Sequence, residues 1–416
     1  MKSSSDKPRR VFAPVCMLLL LAVAPIRTEG PSAILWTAPC ILVAAMLIAW
    51  AAESAQFFVA QGFALAMLAW LQTLPEFAVE AVLAWHQQST LLIANLTGAL
   101  RLLTGLAWPM IYATAAIAYR SRSGKPLRRI TLEPAHSIEV MGLLACMAYV
   151  AVIWGKGYLD LIDALVLIAI YVAYLLVLRR MPPESSEGIE DLERIPRSIV
   201  QARRLVRIAL IAGLFIGGGA LIYFTAEPFL GSLLAVSAVL GIPNFVFVQW
   251  VAPFVSEFPE KVSAFYWART VERASMALMN MVSSNINQWT LLTAMLPIVF
   301  SLSRGTPTAI LFDSQQKLEL LMTLGQSALG TLFLVSMELL WWEAALLFAL
   351  WLIQFLLSPV PQSASFWGTL ATHIHMYITW AYWVCAAVEV GRLLIGWRKP
   401  VAFVQFTRMW RAHVRR

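Results

Sequence analysis

Charged side chains are scarce in this sequence. Only 13% of its 416 residues are Asp, Glu, Lys or Arg, whereas 60% are hydrophobic. Soluble domains usually contain about 25% charged residues, so the deficit excludes an ordinary soluble protein. Apolar runs of about 17–25 residues, the length that crosses a bilayer as a helix, recur along the chain. Because these runs are continuous rather than alternating, they exclude a barrel and predict an all-α membrane bundle.

Cysteine and the usual motifs of membrane enzymes are also rare or missing. The four cysteines, at positions 16, 40, 146 and 385, lie in apolar runs without C-x-x-C spacing, so no metal site is indicated for them. Clustered acidic motifs for Mg²⁺-pyrophosphate are absent, because the one Asp-rich stretch, with Asp160 and Asp163, does not repeat. A nucleophile elbow and an H-E-x-x-H motif are absent too. No cofactor is indicated, and a membrane enzyme is the less favoured alternative.

Basic residues outnumber acidic residues by 31 to 23, and most are grouped between apolar runs. The groups fall in every second connection, which is the positive-inside pattern and predicts that these connections and both termini are cytoplasmic. We therefore expect a multi-pass protein of the plasma (inner) membrane. A surface that faces anionic lipid explains the charge better than nucleic-acid binding. The groups occupy residues 2–10, 120–129, 179–207, 269–273 and 392–416.

The apolar runs predict about twelve spans, most of them in two matching sets. Residues 1–32 hold a basic start and an extra span or signal-like segment. Residues 33–178 contain five spans that begin outside, and residues 205–357 contain five that begin inside. The polar stretch 179–204 is predicted to be a flexible cytoplasmic linker, and residues 358–416 add a last span and a basic tail. Two five-helix halves of opposite orientation form an inverted repeat, which is common in secondary transporters.

Both halves carry the same polar signature. The first contains "QTLPEFAVEA" and, further on, "NLTGALRLL"; the second contains "SEFPEKVSAF" and then "NMVSSNINQW". Glu76 precedes Asn95 by 19 residues, and Glu260 precedes Asn280 by 20. A proline-glutamate pair followed at this distance by an asparagine therefore occurs twice, once in each half.

The two prolines explain what this signature can do in a membrane. Proline removes a backbone donor, and such a break is tolerated at membrane depth where the freed carbonyls line a polar cavity. Pro75 and Pro259 therefore predict two broken helices, each presenting a glutamate at mid-depth. Carboxylate and carbonyl oxygens are the ligands that a hard cation such as Ca²⁺ prefers.

A polar stripe follows the second asparagine. Asn280, Ser284 and Asn287 share one helix face, and intramembrane polar groups are costly unless they have a function. The stripe is therefore predicted to point at a cavity or at another helix. For Asn280, whose counterpart Asn95 recurs in the first half, cation binding is favoured over a hydrogen bond between helices. Asn285 and Gln288 are placed beside the stripe and are predicted to hydrogen-bond across helices.

The pairs "TLPE" with "NLTGA" and "EFPE" with "NMVSSN" resemble the two α-repeats of the calcium/cation antiporter superfamily, which includes the sodium/calcium exchangers. The resemblance spans residues 33–357 and depends on motifs that occur twice. It implies a secondary active antiporter, not an enzyme, that exchanges Ca²⁺ or another cation against Na⁺ or H⁺ by alternating access. Its partners would be the lipid bilayer and inorganic cations, with a second copy of the chain as a further candidate.

The same resemblance implies a set of cation ligands. Glu76 and Glu260 would be the central carboxylates, flanked by Asn95 and Asn280. Hydroxyl groups before each glutamate and one from the polar stripe would complete the coordination with main-chain carbonyls; these are the hydroxyls of Thr73, Ser256 and Ser284.

Two basic residues depart from the family pattern. Arg101 lies shortly after the first asparagine, and Lys261 directly follows the second central glutamate. Either they neutralise the ligand carboxylates and displace metal, or Arg101 pairs with Glu80 and Lys261 with Glu257, since buried charges need partners. If the side chain of Arg101 or Lys261 reaches the site, we expect weaker Na⁺ dependence than in typical family members, or H⁺ as the counter-ion. Leu100, where polar residues are common in the family, and Arg101 support the alternative of a degenerate scaffold that does not transport.

Overall fold

The fold is known from a computed structural model that describes residues 30–58, 70–181, 192–360, 363 and 365–415. The predicted N-terminal extra span lies outside the described residues. So do residues 59–69 of the predicted span 57–85, which contains the first Pro-Glu pair, and residues 182–191 of the predicted linker.

In the described residues, the first half is built from six α-helices. A π-helical segment, Leu103–Ala107, joins the third helix to the fourth. The helices are α1 (Ile34–Ala55), α2 (Leu74–Trp85), α3 (Ser89–Leu102), α4 (Trp108–Ser123), α5 (Ser137–Lys156) and α6 (Leu161–Leu178).

The second half repeats this order after a short helix in the predicted linker, and a π-helical segment, Gln288–Leu292, lies at the corresponding place. Two more helices follow it. The helices are α7 (Arg194–Val200), α8 (Arg204–Leu240), α9 (Asn244–Ser256), α10 (Phe258–Ala268), α11 (Ala274–Asn287), α12 (Thr293–Arg304), α13 (Ser314–Leu334), α14 (Trp341–Leu357), α15 (Phe366–Leu394) and α16 (Val401–Met409).

Six helical segments of the described residues are long and apolar enough to cross a membrane. Several other helices are shorter, interrupted or more polar, so the layout of twelve spans stays a prediction. The protein is an integral, multi-pass membrane protein. The six segments are Pro31–Ala55, Ser89–Ser123, Pro134–Lys156, Leu161–Leu178, Arg204–Leu240 and Ala274–Arg304.

Two small antiparallel sheets connect the halves. β1 (Arg129–Thr131), before α5, pairs with β4 (Glu338–Leu340), after α13. β2 (Tyr158–Leu159), after α5, pairs with β3 (Ile310–Leu311), before α13. The strand that precedes the fourth span of one half therefore meets the strand that follows the fourth span of the other. This crossed pairing agrees with the predicted opposite orientation of the two halves.

Helix caps account for some of the acidic residues that stood out in the sequence. Asp160 accepts hydrogen bonds from the main-chain nitrogens of Ile162 and Asp163, and Asp163 bonds back to the nitrogen of Asp160. This capping box starts α6 and satisfies amides that have no partner within the helix. The Asp-rich stretch therefore has a structural role.

The predicted linker and the tail are partly helical and packed. Residues 194–200, within the stretch predicted to be flexible, form α7, whose buried side chains include Pro196 and Ile199. The tail helix α16 packs against α5. Arg398 before it is buried and binds Glu343 at 2.5 Å and Glu389 at 2.9 Å. These contacts tie the tail to the bundle, because buried charges need paired partners.

Candidate cation site

Both acidic motifs lie where a helix is interrupted. α2 begins directly after a turn at Thr73, with Pro75 in its first turn. Likewise Glu257 separates α9 from α10, whose first turn contains Pro259. The glutamate after each proline lies in the first turn of its helix, where the helix dipole favours negative charge, and is buried. The prediction of two broken helices is confirmed.

The amides of α11 and of the π-helical segment that follows it make hydrogen bonds with the acidic turn of the other half. Asn280 Nδ2 donates to Gln72 Oε1 at 3.4 Å. Asn287 Nδ2 donates to Thr73 Oγ1 at 2.5 Å. Gln288 Nε2 donates to Glu76 Oε2 at 2.8 Å. Three amide groups from the second half therefore hold the turn and first residues of α2, which explains why a lipid-embedded helix carries so many polar residues.

Gln288 also joins the two acidic motifs to each other. Its Nε2 donates to Glu257 Oε1 at 2.7 Å as well as to Glu76. The other oxygen of Glu257 forms an ion pair with Lys261, as one of the two predicted alternatives expected. Ser284 on α11 donates to Glu260 Oε1. Gln288 thus joins Glu76 to Glu257, while Ser284, four residues before it, holds Glu260.

Several charged side chains surround Glu76 in the interior. Glu76 interacts electrostatically with Glu80, Glu257 and Glu260 and with Lys261. Four carboxylates and one ammonium group are therefore close together in the interior, where charges are poorly screened. Their formal charges sum to −3 when all are ionised, from −4 for the carboxylates and +1 for the lysine.

The first asparagine behaves differently from the second. Asn95 Nδ2 donates to Glu80 Oε1 at 3.2 Å, within its own half. Among the described residues, no amide of α3 donates a hydrogen bond to the acidic turn of the second half. The two halves therefore match in backbone form but differ in polar chemistry.

Many oxygens of this network have no hydrogen-bond partner among the described residues. They are buried carboxylate and amide acceptors, and leaving them unsatisfied would be costly. An oxygen-only set of this kind suits a hard cation. The atoms are Glu76 Oε1, Glu80 Oε2, Glu260 Oε2, Asn95 Oδ1, Asn280 Oδ1, Asn287 Oδ1 and Gln288 Oε1.

Acidic side chains alone do not form a metal site here. Among the described residues, no three His, Cys, Asp or Glu side chains are grouped so as to hold a metal ion. Any coordination must therefore combine carboxylates with amide, hydroxyl or main-chain oxygens. A separate apolar groove of about 300 Å³ between α4 and α14 includes none of the predicted ligands.

Two of the three hydroxyls predicted as ligands, those of Thr73 and Ser256, are buried at the breaks. Thr73 Oγ1 donates to Trp70 O at 2.9 Å, and Ser256 Oγ donates to Ala252 O at 3.1 Å. Each proton is used within the hydroxyl's own segment, which leaves oxygen lone pairs as acceptors. The ligand roles of Thr73, Ser256 and Ser284 stay predictions.

The expected pairing of Arg101 is wrong. Its Nη2 lies 2.8 Å from Glu319 Oε2 on α13, and neither side chain is exposed. Glu80, the predicted partner, is instead bonded by Asn95. In the described part of the chain, Arg101 therefore makes no contact with the predicted carboxylate ligands and is paired with Glu319 instead. The spacing of residues along the sequence could not predict this pair, because Glu319 lies on a distant helix.

Sequence reasoning underrated Gln288 and missed Gln72. Gln288 does bond across helices, as predicted, but its partners are carboxylates of the site. The missed signal was spacing: Gln288 follows Ser284 by four residues and so lies close to the polar stripe. Asn285 bonds to Thr104 Oγ1 at 3.2 Å, as expected of a contact between helices.

Comparison with known families gives a match over most of the chain. A family model described as sodium/calcium exchanger protein matches residues 31–179 and 210–359. These two ranges are close to the two halves predicted from the sequence. No curated protein gives a significant match.

Solved structures with a similar fold include two exchangers and native YfkE. The crystal structure of the H⁺/Ca²⁺ exchanger CAX is 26% identical, with a TM-score of 0.84 and coverage of 98% of each chain. Native YfkE is 13% identical, with a TM-score of 0.56 over 83% of this chain and 98% of its own. The sodium-calcium exchanger NCX_Mj is 20% identical, with a TM-score of 0.52 over 83% of this chain and 98% of its own.

Proposed function

Because the chain belongs to the sodium/calcium exchanger protein family, we propose that it is a secondary active antiporter that exchanges Ca²⁺ against protons. Members of this family are transporters, not enzymes, and the chain has the fold of a calcium/cation exchanger. The cation, the counter-ion and the residues that bind them are the parts of the proposal that need argument.

One observation carries the proposal. Buried carboxylate and amide oxygens without hydrogen-bond partners gather where α2 and α10 begin. They come from both halves, and Gln288 links Glu76 to Glu257 between them. A dehydrated Ca²⁺ takes six to eight oxygen ligands, so it would satisfy acceptors that the protein itself leaves without donors.

The charge of the acidic cluster supports the exchange of a divalent cation for protons. With Glu257 paired to Lys261, the carboxylates of Glu76, Glu80 and Glu260 supply the remaining charge of −3. One bound Ca²⁺ and two protons on two carboxylates change this charge by the same amount. Exchange of one Ca²⁺ for two protons is therefore electroneutral, and the departing cation frees the oxygens that the protons take.

Two further observations favour protons over Na⁺ as the counter-ion. Lys261 is buried beside the acidic cluster and supplies a fixed positive charge that reduces the number of cations needed to neutralise it. The chain also resembles the H⁺/Ca²⁺ exchanger CAX over 98% of its length at 26% identity.

Orientation follows from the basic connections. The proposal places both termini, β1 and β4 on the cytoplasmic side, since the groups around residues 120–129 and 392–416 are strongly basic. The plasma (inner) membrane is the proposed location. In this orientation β2 and β3 face the opposite side.

Transport by purified protein in liposomes tests the function. We expect Ca²⁺ uptake driven by an outward proton gradient, with Glu76→Gln and Glu260→Gln each reducing the initial rate at least tenfold. Glu227→Gln is the matched control, because Glu227 is a glutamate of an apolar helix, α8, but is largely exposed. It should leave the rate within about twofold of wild type.

The same assay separates the alternatives. If Ca²⁺ uptake requires a Na⁺ gradient and does not respond to a pH gradient, the counter-ion is Na⁺ and not H⁺. A folded wild-type protein that neither transports nor binds Ca²⁺, Na⁺, K⁺ or Mg²⁺ would be a scaffold, and the proposal would fail.

A further inference from the structure

A second buried cluster of charged groups lies outside the cation site. Arg101 Nη2 on α3 is 2.8 Å from Glu319 Oε2 on α13. Gln249 Nε2 on α9 donates to the same oxygen at 2.9 Å. The other oxygen of Glu319 contacts His375 Nδ1 on α15. Four helices therefore meet at one carboxylate, and α15 belongs to neither of the two predicted halves.

The hydrogen bonds of His375 depend on its protonation. Its Nδ1 must donate to Glu319, because a carboxylate bonded to an arginine and a glutamine accepts only. Its Nε2 is 3.1 Å from Ser358 Oγ, and that hydroxyl donates its single proton to Gln354 O at 2.7 Å. Ser358 can then only accept from Nε2. All three bonds form together when the imidazole carries both protons, and one is lost when it is neutral.

Protonation of His375 completes these hydrogen bonds but adds a positive charge to the cluster, which costs free energy. With a neutral imidazole, Arg101 and Glu319 form a neutral pair; with a charged one, the cluster has a net charge of +1 in a low-dielectric interior. Histidine is the side chain that ordinarily changes charge between pH 5 and 8. The side chain of His375 is 18% exposed and touches Ser358, the residue that follows α14.

Few other titratable groups face His375. α15 packs chiefly on α13 and α14. On α13, Lys317 lies beside Gly157 rather than in the cluster, and on α14, Glu343 is bound to Arg398. Tyr382 on α15 interacts electrostatically with Arg101, and its hydroxyl has no hydrogen-bond partner among the described residues. Glu319 is thus the one acid that His375 contacts in the described part of the chain.

The cluster is connected to the cation site through two helices. Arg101 follows Asn95 by six residues on α3. Gln249 on α9 precedes the break at Glu257 by eight residues. A change in the bonds made to Glu319 therefore acts on both helices that lead to the site, although His375 touches no predicted ligand.

We propose that His375 is a proton-binding, positioning residue separate from the cation site, and that its protonation strengthens the contact of α15 with α3, α9 and α13 and so slows the movements that transport requires. The inference depends on the proposed transport activity for its effect on rate, but proton binding by His375 does not. Low pH would act twice in this protein, once at the cation site and once at this cluster.

Calcium self-exchange tests the effect on rate. ⁴⁵Ca²⁺/Ca²⁺ exchange in proteoliposomes, with equal pH on both sides, moves no net protons, so the ratio of variant to wild-type rate isolates His375. For His375→Gln we expect a ratio near 1 at pH 8 that rises at least threefold at pH 5.5. His373→Gln, two residues away on the same helix and outside the cluster, should give a ratio that is independent of pH.

A measurement without transport tests proton binding. We expect the thermal midpoint of the purified wild type to exceed that of His375→Gln by about 2 °C more at pH 5.5 than at pH 8, because the complete set of bonds exists only with the charged ring. Ser358→Ala is the milder change, because it removes only the acceptor of Nε2. When Ser358→Ala takes the place of wild type in this comparison with His375→Gln, the excess of the midpoint difference at pH 5.5 over that at pH 8 should fall to half or less.

These outcomes separate the two proposals. Identical pH dependence of His375→Gln and wild type in both measurements, or an equal effect of His373→Gln, overturns the role of His375. Absence of any Ca²⁺ exchange by wild type defeats the proposed function, and the thermal measurement then still decides whether His375 binds the proton.

Discussion

A single amide nitrogen in this protein serves two carboxylates. Gln288 Nε2 lies 2.8 Å from Glu76 Oε2 and 2.7 Å from Glu257 Oε1, and the oxygen of the same amide has no hydrogen-bond partner among the described residues. Hydrogen bonds to charged groups contribute about 1.5–3 kcal/mol each. The residue therefore holds the acidic groups of the two halves in place and offers one more oxygen to a cation.

Replacing this amide should reduce cation affinity. For Gln288→Leu we expect the apparent KM for Ca²⁺ uptake to rise at least tenfold, because Glu76 loses its donor and a candidate oxygen ligand disappears. Asn285→Leu is the matched control: it removes a buried amide of the same helix whose partner, Thr104, lies outside the site. Uptake kinetics in proteoliposomes measure both variants, and a KM change of equal size in each would contradict the assignment.

At the scale of elements, the site depends on how closely α3 approaches α9. A Cβ atom at Gly98 would lie 1.8 Å from the main-chain oxygen of Gln249, so only glycine allows this contact. α3 carries Asn95, and α9 ends at the break before α10. Close packing of main chains, with small residues at the contact, is a common way to associate helices in membranes.

A methyl group at this contact should separate the two helices. For Gly98→Ala we expect a loss of about 1–3 kcal/mol of stability from overpacking and a reduced rate of Ca²⁺ uptake, because Asn95 moves with α3. Gly213→Ala on α8, where nothing lies within 4 Å of the added carbon, is the control and should be neutral or slightly stabilising. Thermal unfolding in detergent gives the comparison; equal midpoints for the two variants would rule out the close contact.

Across the whole molecule, similar backbones carry different chemistry. Each half has a π-helical segment that begins eight residues after its asparagine, at Leu103 and at Gln288. The second half supplies Lys261 and most of the amide donors, whereas the corresponding part of the first half is largely apolar. The fixed positive charge of Lys261 therefore adjusts the charge balance of a site to which both halves contribute.

This charge balance predicts electroneutral exchange. Moving one net charge through 100 mV changes the free energy by about 2.3 kcal/mol, so electrogenic exchange would change Ca²⁺ accumulation roughly fiftyfold. We expect less than a twofold change when a potassium diffusion potential of about 100 mV is imposed across wild-type proteoliposomes. Lys261→Gln should introduce voltage sensitivity, and a strongly voltage-sensitive wild type would contradict the one-for-two exchange.

The sequence by itself determined the membrane class, the two halves and their broken helices. These features depend on local causes. Apolar runs long enough to span a bilayer favour lipid as their environment. A proline has no backbone amide hydrogen and favours the start of a helix, as Pro75 and Pro259 do here. The repeated Pro-Glu and Asn positions likewise needed only spacing along the chain, and Lys261 found Glu257 one helical turn away.

Only the tertiary structure decided which side chains meet across helices. Arg101 pairs with Glu319, 218 residues further along the chain, rather than with Glu80, and His375 on the added helix reaches the same carboxylate. Gln72, Asn287 and Gln288 similarly find partners in the opposite half. Such contacts depend on the relative placement of helices, which packing sets and which the period of a single helix does not contain.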